Sequence, residues 1–213
     1  QGTLAPVPLY EPLSVLQQMA SASPANKYAA QIVNAINGAA TQIYELLTAS
    51  KHPVFWIGNE ISIYNLQSQF LLLLDWVQAP FVSSLLGKSS IAENNAWYAG
   101  MWDGVFTQDF SEQTMANCDC LIGLGAWNTD LNIFGAPDPT PGNITPAFAA
   151  RNMVKVGEDL YVQVSLAHLL EALIGLIQTK GYSPVWTPIS FPSLPTPPAS
   201  APITYDYFFD TLN

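Results

Sequence analysis

Asn117-Cys118-Asp119-Cys120-Leu121-Ile122-Gly123-Leu124-Gly125-Ala126-Trp127-Asn128-Thr129-Asp130-Leu131-Asn132 is the stretch that decides the fold. From Cys118 to Leu124 it is short and mainly apolar, broken by Asp119 and Gly123, and turn-formers follow. A continuous apolar run of this length, flanked in this way, reads as a buried parallel strand and not as a helix. Gly125 lets the chain turn sharply at the strand's carboxyl end, and Ala126 keeps that turn uncrowded. Asn128, Thr129, Asp130 and Asn132 follow as a polar lip. In an open α/β sheet, ligands sit at that end of the strands.

Toward the amino terminus, Tyr28, Ile32, Ile36, Ala39, Ile43 and Leu47 recur every three or four residues, predicting a helix from about Lys27 to Ser50 with Asn26 as its cap. Gly38 in its middle weakens it modestly. Lys51-His52-Pro53 ends that helix, Val54–Ile57 reads as the first strand, and Gly58-Asn59-Glu60 turns off its end. A helix from Ser62 through Val77 and a strand over Ala79–Ser84 follow. Leu85–Gly104, with three glycines, reads mainly as loop, and Ser111–Asn117 as a short helix leading into the central strand. Phe134–Pro146 is expected to be loop, Asn152–Val156 a fourth strand, and Val164–Thr179 a closing helix. Strands alternating with helices predict an α/β fold with a doubly wound, mainly parallel sheet flanked by helices.

The 213-residue chain suits one sizeable domain. The expected division is a linker over 1–25, the domain over 26–180, and a Pro-rich linker with the start of a following domain over 181–213. Tyr205–Leu212 in that last segment reads as a helix start. The chain opens Gln-Gly-Thr-Leu-Ala-Pro, without an initiator Met or a secretory signal, so a piece of a longer cytoplasmic protein is expected. Asn143-Ile144-Thr145 is then a chance sequon. Only 10% of residues are charged, against the usual quarter, which suits a domain whose surface packs against something else. The net charge of −10 and the lack of a basic patch argue against nucleic acid and anionic membrane as partners.

Catalytic and metal-binding patterns are thin. Cys118 and Cys120 share one face of a strand, are poorly placed to bridge each other, and have no further cysteine to complete a zinc site. His52 and His168 have no Ser or Cys nucleophile with an acid beside them. Gly87-Lys88-Ser89-Ser90 is too little for a phosphate loop, and Gly123-Leu124-Gly125-Ala126-Trp127-Asn128 lacks the third glycine of a dinucleotide fingerprint. No catalytic and no metal-ligating residue is assigned. The candidate crevice for a cofactor is lined by Gly58, Asn59, Gly125, Asn128, Asp130 and Asn132.

An ordered set of motifs carries a family resemblance over roughly His52–Ile177. Pro53-Val54-Phe55-Trp56-Ile57-Gly58 comes first, then Pro80-Phe81-Val82, then the segment from Gly87-Lys88 through Glu93 to Tyr98-Ala99-Gly100. Cys118-Asp119, the apolar strand, Gly125-Ala126 and Asp130-Leu131-Asn132 complete it. This set resembles the Rossmann-like central domain of thiamine diphosphate-dependent enzymes, in the pyruvate and indolepyruvate decarboxylase branch. The resemblance implies a three-domain parent, a 2-oxo acid decarboxylase and homo-oligomer, using thiamine diphosphate and magnesium. Its pyrimidine- and pyrophosphate-binding domains would flank this one. The activating glutamate would lie in the first of those, and the Gly-Asp-Gly magnesium motif in the second. This chain has no Gly-Asp-Gly, and Trp102-Asp103-Gly104 does not replace it.

Flavin-binding relatives use a Gly-rich turn, basic residues after Gly-Ala and a later acid. Here those positions read Gly58-Asn59-Glu60, Trp127-Asn128 and Lys155-Val156-Gly157. Substrate-activated yeast-type enzymes carry a cysteine where Glu60 stands. The chain alone is therefore expected to be inert and to hold no cofactor. The rival readings are a freestanding FAD- or NAD-type nucleotide-binding module, and a purely structural domain that self-associates.

Overall fold

The computed structural model describes residues 11–22, 27–107, 109–135, 140–142 and 144–186. Asn26, Asn143 and the helix start expected after Thr204 lie outside them. Seven strands form one sheet in the order β3-β2-β1-β4-β5-β6-β7. They are β1 Pro53–Ile57, β2 Phe81–Ser83, β3 Tyr98–Met101, β4 Cys120–Leu124, β5 Ala147–Ala150, β6 Met153–Val156 and β7 Asp159–Val162. The first five pair in parallel, and β6 and β7 add on as antiparallel strands. The α/β, Rossmann-like, mainly parallel expectation is met. The decisive stretch supplies β4, which lies beside β1 in the middle of the sheet with Trp56 opposite Gly123 and Ile57 opposite Leu124.

Helices α1 Leu13–Ala22, α2 Lys27–Ala49, α4 Gln67–Val77 and α7 Leu166–Lys180 cover one face, while α5 Asp109–Ala116 lies against β3. The one-turn helices α3 Glu60–Ile63 and α6 Asp130–Ile133 follow β1 and β4. The larger core joins Ile36, Ile43 and Leu47 of α2, Phe70 and Leu73 of α4, and Leu169, Leu170 and Leu173 of α7 to Phe55, Ile57, Ile122 and Leu124 of the strands. On the opposite face a smaller core gathers Val54, Trp56, Val82, Trp102, Met115 and Leu121. Alternate residues of β1 thus enter opposite cores, as strand geometry requires.

Several expectations need correction. The segment read as linker holds α1, which packs on α2 and α7. Leu13, Leu16 and Ala20 mark its inner face at helical spacing, but the helix is short and only Leu13 is buried. The helix expected over Ser62–Val77 is two helices, because Asn65 takes a left-handed φ of +55° between them. β3 lies in the expected loop. The strand expected over Asn152–Val156 is antiparallel. β4's second parallel neighbour, opposite β1, is the unforeseen β5, from which the chain reverses through Arg151 and Asn152, both at positive φ. Tyr28 does not join the buried face of α2; it is exposed and its hydroxyl accepts from Gln163. Gly38 has a use that helix propensity conceals: a Cβ there would lie 2.8 Å from the Tyr161 ring of β7.

The junction between α2 and β1 is tied by Asp119. Its carboxylate accepts from the Ser50 hydroxyl, from Lys51 N at 2.8 Å and from His52 N at 2.9 Å. Burial acts to raise the pKa of this carboxyl, but the three hydrogen bonds together outweigh it and hold it below the usual range. A carboxyl depressed on folding contributes stability that is complete above its unfolded pKa of about 3.9 and is lost as pH falls through the folded value. Melting curves of the chain and of Asp119→Asn should therefore differ near neutrality and converge in acid. Equal separation at every pH would contradict this account.

Candidate functional site

Strand order reverses between β1 and β4, and the carboxyl ends of these two strands form the point where open α/β sheets place ligands. Gly58 and Gly125, sixty-seven residues apart in sequence, meet here. Gly58 N donates to Leu124 O at 3.0 Å, and a Cβ on Gly58 would lie 2.1 Å from Gly125 O and 2.3 Å from Ala126 Cα. On its other side Gly87 packs so closely that its own Cβ would lie 2.8 Å from Gly58 Cα. Gly125, at φ +69°, turns the chain under Glu60, whose N donates to Gly125 O at 3.3 Å.

The Glu60 side chain occupies the switch point. It is 1% exposed, and its Oε1 accepts from Trp127 Nε1 at 2.7 Å and from Arg151 N at 2.9 Å. The Arg151 guanidinium lies 4.4 Å above the Trp127 ring, closing the cluster from outside. One carboxylate therefore links the turns after β1, β4 and β5. Glu60 Oε2, Asn59 Oδ1 and Thr129 Oγ1 are buried without a hydrogen-bond partner among the described residues.

The six candidate crevice residues divide. Gly58, Gly125 and Asn59 lie at the strand ends, the glycines buried and in backbone contact. Asn132 is fully buried, accepting from Leu86 N at 3.1 Å and donating to Trp127 O at 2.8 Å, so its amide holds loops together. Asn128 and Asp130 are exposed. Glu60, Trp127 and Arg151 complete the cluster but were not singled out for it. The sequence signal for Glu60 was its place just past the turn off β1. Arg151 had none, since β5 went unrecognised.

The remaining candidates are structural. Burial pushes the Cys118 and Cys120 thiols up to about 12, far from a thiolate nucleophile or ligand. His168 Nε2 lies 2.6 Å from Glu11 O, joining α7 to the start of the described chain, and His52 meets the Trp186 ring edge-on. Lys88 and Glu93 form an exposed ion pair at 2.9 Å. Among the described residues no His, Cys, Asp or Glu cluster could hold a metal, and no helix is long and apolar enough to cross a membrane. The residues present do not fit a pyrophosphate: the glycines that would cradle it are packed against each other, and a buried carboxylate stands where its charge would go.

A sheet of this order, with its switch point closed in this way, is one member of a broad class of Rossmann-like domains, and sequence comparison gives the family. Residues 40–173 match the family described as thiamine pyrophosphate enzyme, central domain, and the chain belongs to it. Pyruvate decarboxylase isozyme 3 of Saccharomyces cerevisiae is 26% identical over 180 residues, covering 80% of this chain and 31% of that protein. Pyruvate decarboxylase of Candida albicans is 25% identical over 182 residues, covering 80% and 30%. The chain thus spans about a third of the length of these relatives. The crystal structure of benzoylformate decarboxylase from Polynucleobacter necessarius shares the fold with a TM-score of 0.62 at 18% identity, covering 83% of this chain and 33% of that one.

Proposed function

We propose that this chain is the non-catalytic central domain of a thiamine diphosphate- and magnesium-dependent 2-oxo acid decarboxylase of the cytoplasm. It packs between a pyrimidine-binding and a pyrophosphate-binding domain and helps to scaffold a homo-oligomer. In this reading the central unit runs over 26–180, with α1 of the preceding segment packed onto its α2 and α7. The single observation that carries the non-catalytic reading is the buried Glu60 side chain, because an anionic phosphate placed at the switch point would have to be brought up against its carboxyl group. Pyruvate and benzoylformate, named in the relatives, are both 2-oxo acids, which supports the substrate class.

The test has two arms. Carbon dioxide release from a panel of 2-oxo acids, with thiamine diphosphate and magnesium, is expected from the polypeptide encoded by the full open reading frame and not from these 213 residues alone. Calorimetric titration of FAD or NAD into the chain should give no saturable heat. Turnover by the isolated chain, or stoichiometric nucleotide binding lost in Gly125→Asp, would overturn the proposal in favour of the nucleotide-binding reading.

A further inference from the structure

The single turn Gly104–Phe106, just past β3, is tied to α6. Asp103 N donates to Thr107 Oγ1 at 2.8 Å, and the same hydroxyl donates to Gly104 O at 2.8 Å. Val105 N donates to Phe134 O at 3.2 Å, and a Cβ on Gly104, at φ +56°, would lie 2.0 Å from Ile133 O. The tie leaves apolar side chains bare. Val105 is 66% exposed, Phe106 64%, Leu131 51% and Phe134 42%, with the Phe106 and Phe134 ring centroids 4.8 Å apart. Exposed apolar patches of this kind mark sites of contact.

Asp103 begins this turn. It is 6% exposed, and its Oδ1 is buried without a hydrogen-bond partner among the described residues. Burial raises its pKa, with no cation among those residues to offset it. A buried carboxylate left unpaired costs the fold stability, and pairing with a cation relieves that cost. The chain does not supply the cation locally. Between Ser89 and Ala150 it has no lysine, arginine or histidine, whereas Glu112 and Asp130 add exposed carboxylates on α5 and α6. None of the residues outside the described ones is a lysine or an arginine either.

We propose that a segment of the parent polypeptide beyond these 213 residues covers this face, setting a lysine or arginine beside Asp103 and apolar side chains on Val105, Phe106 and Phe134. Charge chooses among the occupants. A second copy of the same face would bring the Asp103 and Asp130 carboxylates against their counterparts, and the chain's own terminal segment would bring Asp206 and Asp210. An anionic bilayer is repelled for the same reason. A basic, apolar segment meets no such repulsion: one contact buries the aromatic pair and neutralises the carboxylate. About two thirds of each yeast relative lies outside the part that this chain matches, which leaves room for such a segment. The inference rests on the multidomain reading above and deepens it, naming the surface and the charge through which a flanking domain docks.

Hydrogen exchange of the 213-residue chain is compared with that of the polypeptide encoded by the full open reading frame. The amides of Val105 and Phe106 are expected to exchange about tenfold slower in the full polypeptide, with the protection weakening as salt is raised. Asp103→Asn and Phe106→Ser should each remove that protection. On the chain alone Asp103→Asn should raise the melting temperature, because there it only removes an unpaired buried charge. Equal exchange in the two proteins would overturn the proposal. So would protection indifferent to both salt and Asp103→Asn, which describes an uncharged cover. Protection already present in a dimer of the chain alone would overturn it in favour of a second copy. Should Asp103→Asn unfold the full polypeptide, the salt dependence and Phe106→Ser, at an exposed side chain, carry the test. Decarboxylation assayed alongside keeps the two readings apart. Turnover by the full polypeptide with this face unprotected overturns only the docking, whereas a reading frame without flanking domains overturns both.

Discussion

Gly58→Ala is expected to cost the domain about 3 kcal/mol or more, a large part of the 5–15 kcal/mol that holds an ordinary domain together. The reason is purely steric. The added methyl would lie 2.1 Å from Gly125 O and 2.3 Å from Ala126 Cα, and both obstacles are backbone, which cannot swing aside as a side-chain tip can. Relief would require β1 and β4 to part at the point where Gly58 N bonds Leu124 O. Gly175→Ala is the control with opposite sign. That site lies inside α7 with nothing within 4 Å of the new Cβ, so alanine should stabilise by about 0.5–1 kcal/mol through helix propensity alone. Urea unfolding of the two variants checks both. Similar midpoints for Gly58→Ala and the unaltered chain would show that the strand ends are not packed as described.

The second large effect falls on Glu60. Glu60→Ala removes the acceptor for Trp127 Nε1 and Arg151 N together and leaves both half-buried donors without it. Hydrogen bonds to a charged group contribute about 1.5–3 kcal/mol each, and part of that is offset by ending the burial of a carboxylate with a partnerless Oε2, so a net loss of about 2–4 kcal/mol is expected. Glu60→Gln keeps one carbonyl oxygen in place for both donors and should lose about 1 kcal/mol. The ordering Ala far below Gln, measured by denaturant midpoint, is the discriminating result. Trp127 offers a local probe, because its indole leaves a hydrogen-bonded, half-buried setting in the alanine variant only. If the two variants proved equally stable, the carboxylate would not be the tie between the three turns.

The central strand, its glycine turn, the long helix α2 and the closing helix α7 were legible because each rests on local pattern. Apolar residues recur at the helical period from Ile36 to Leu47, and an unbroken apolar run precedes Gly125. The ordered motifs from Pro53 to Asn132 were enough to indicate the family that residues 40–173 match. Three strands were not legible. β3, with Gly100 at φ +91°, looks like loop. β5 is Ala-Phe-Ala-Ala, with no strand propensity beyond Phe148. β7 is four residues long and mostly exposed, so it shows no alternation of polar and apolar residues.

What the sequence determined by itself was therefore the class of fold, the position of the middle of the sheet and the family. Only the tertiary structure decided that the crevice expected around Gly58, Asn59, Gly125, Asn128, Asp130 and Asn132 is closed by Glu60, and that the sheet runs on through two antiparallel strands to β7. The reason is distance along the chain. Glu60 meets Trp127 sixty-seven residues away and Arg151 ninety-one residues away. No local pattern records such a contact; it exists because parallel pairing of β1 with β4, and of β4 with β5, brings three strand ends side by side.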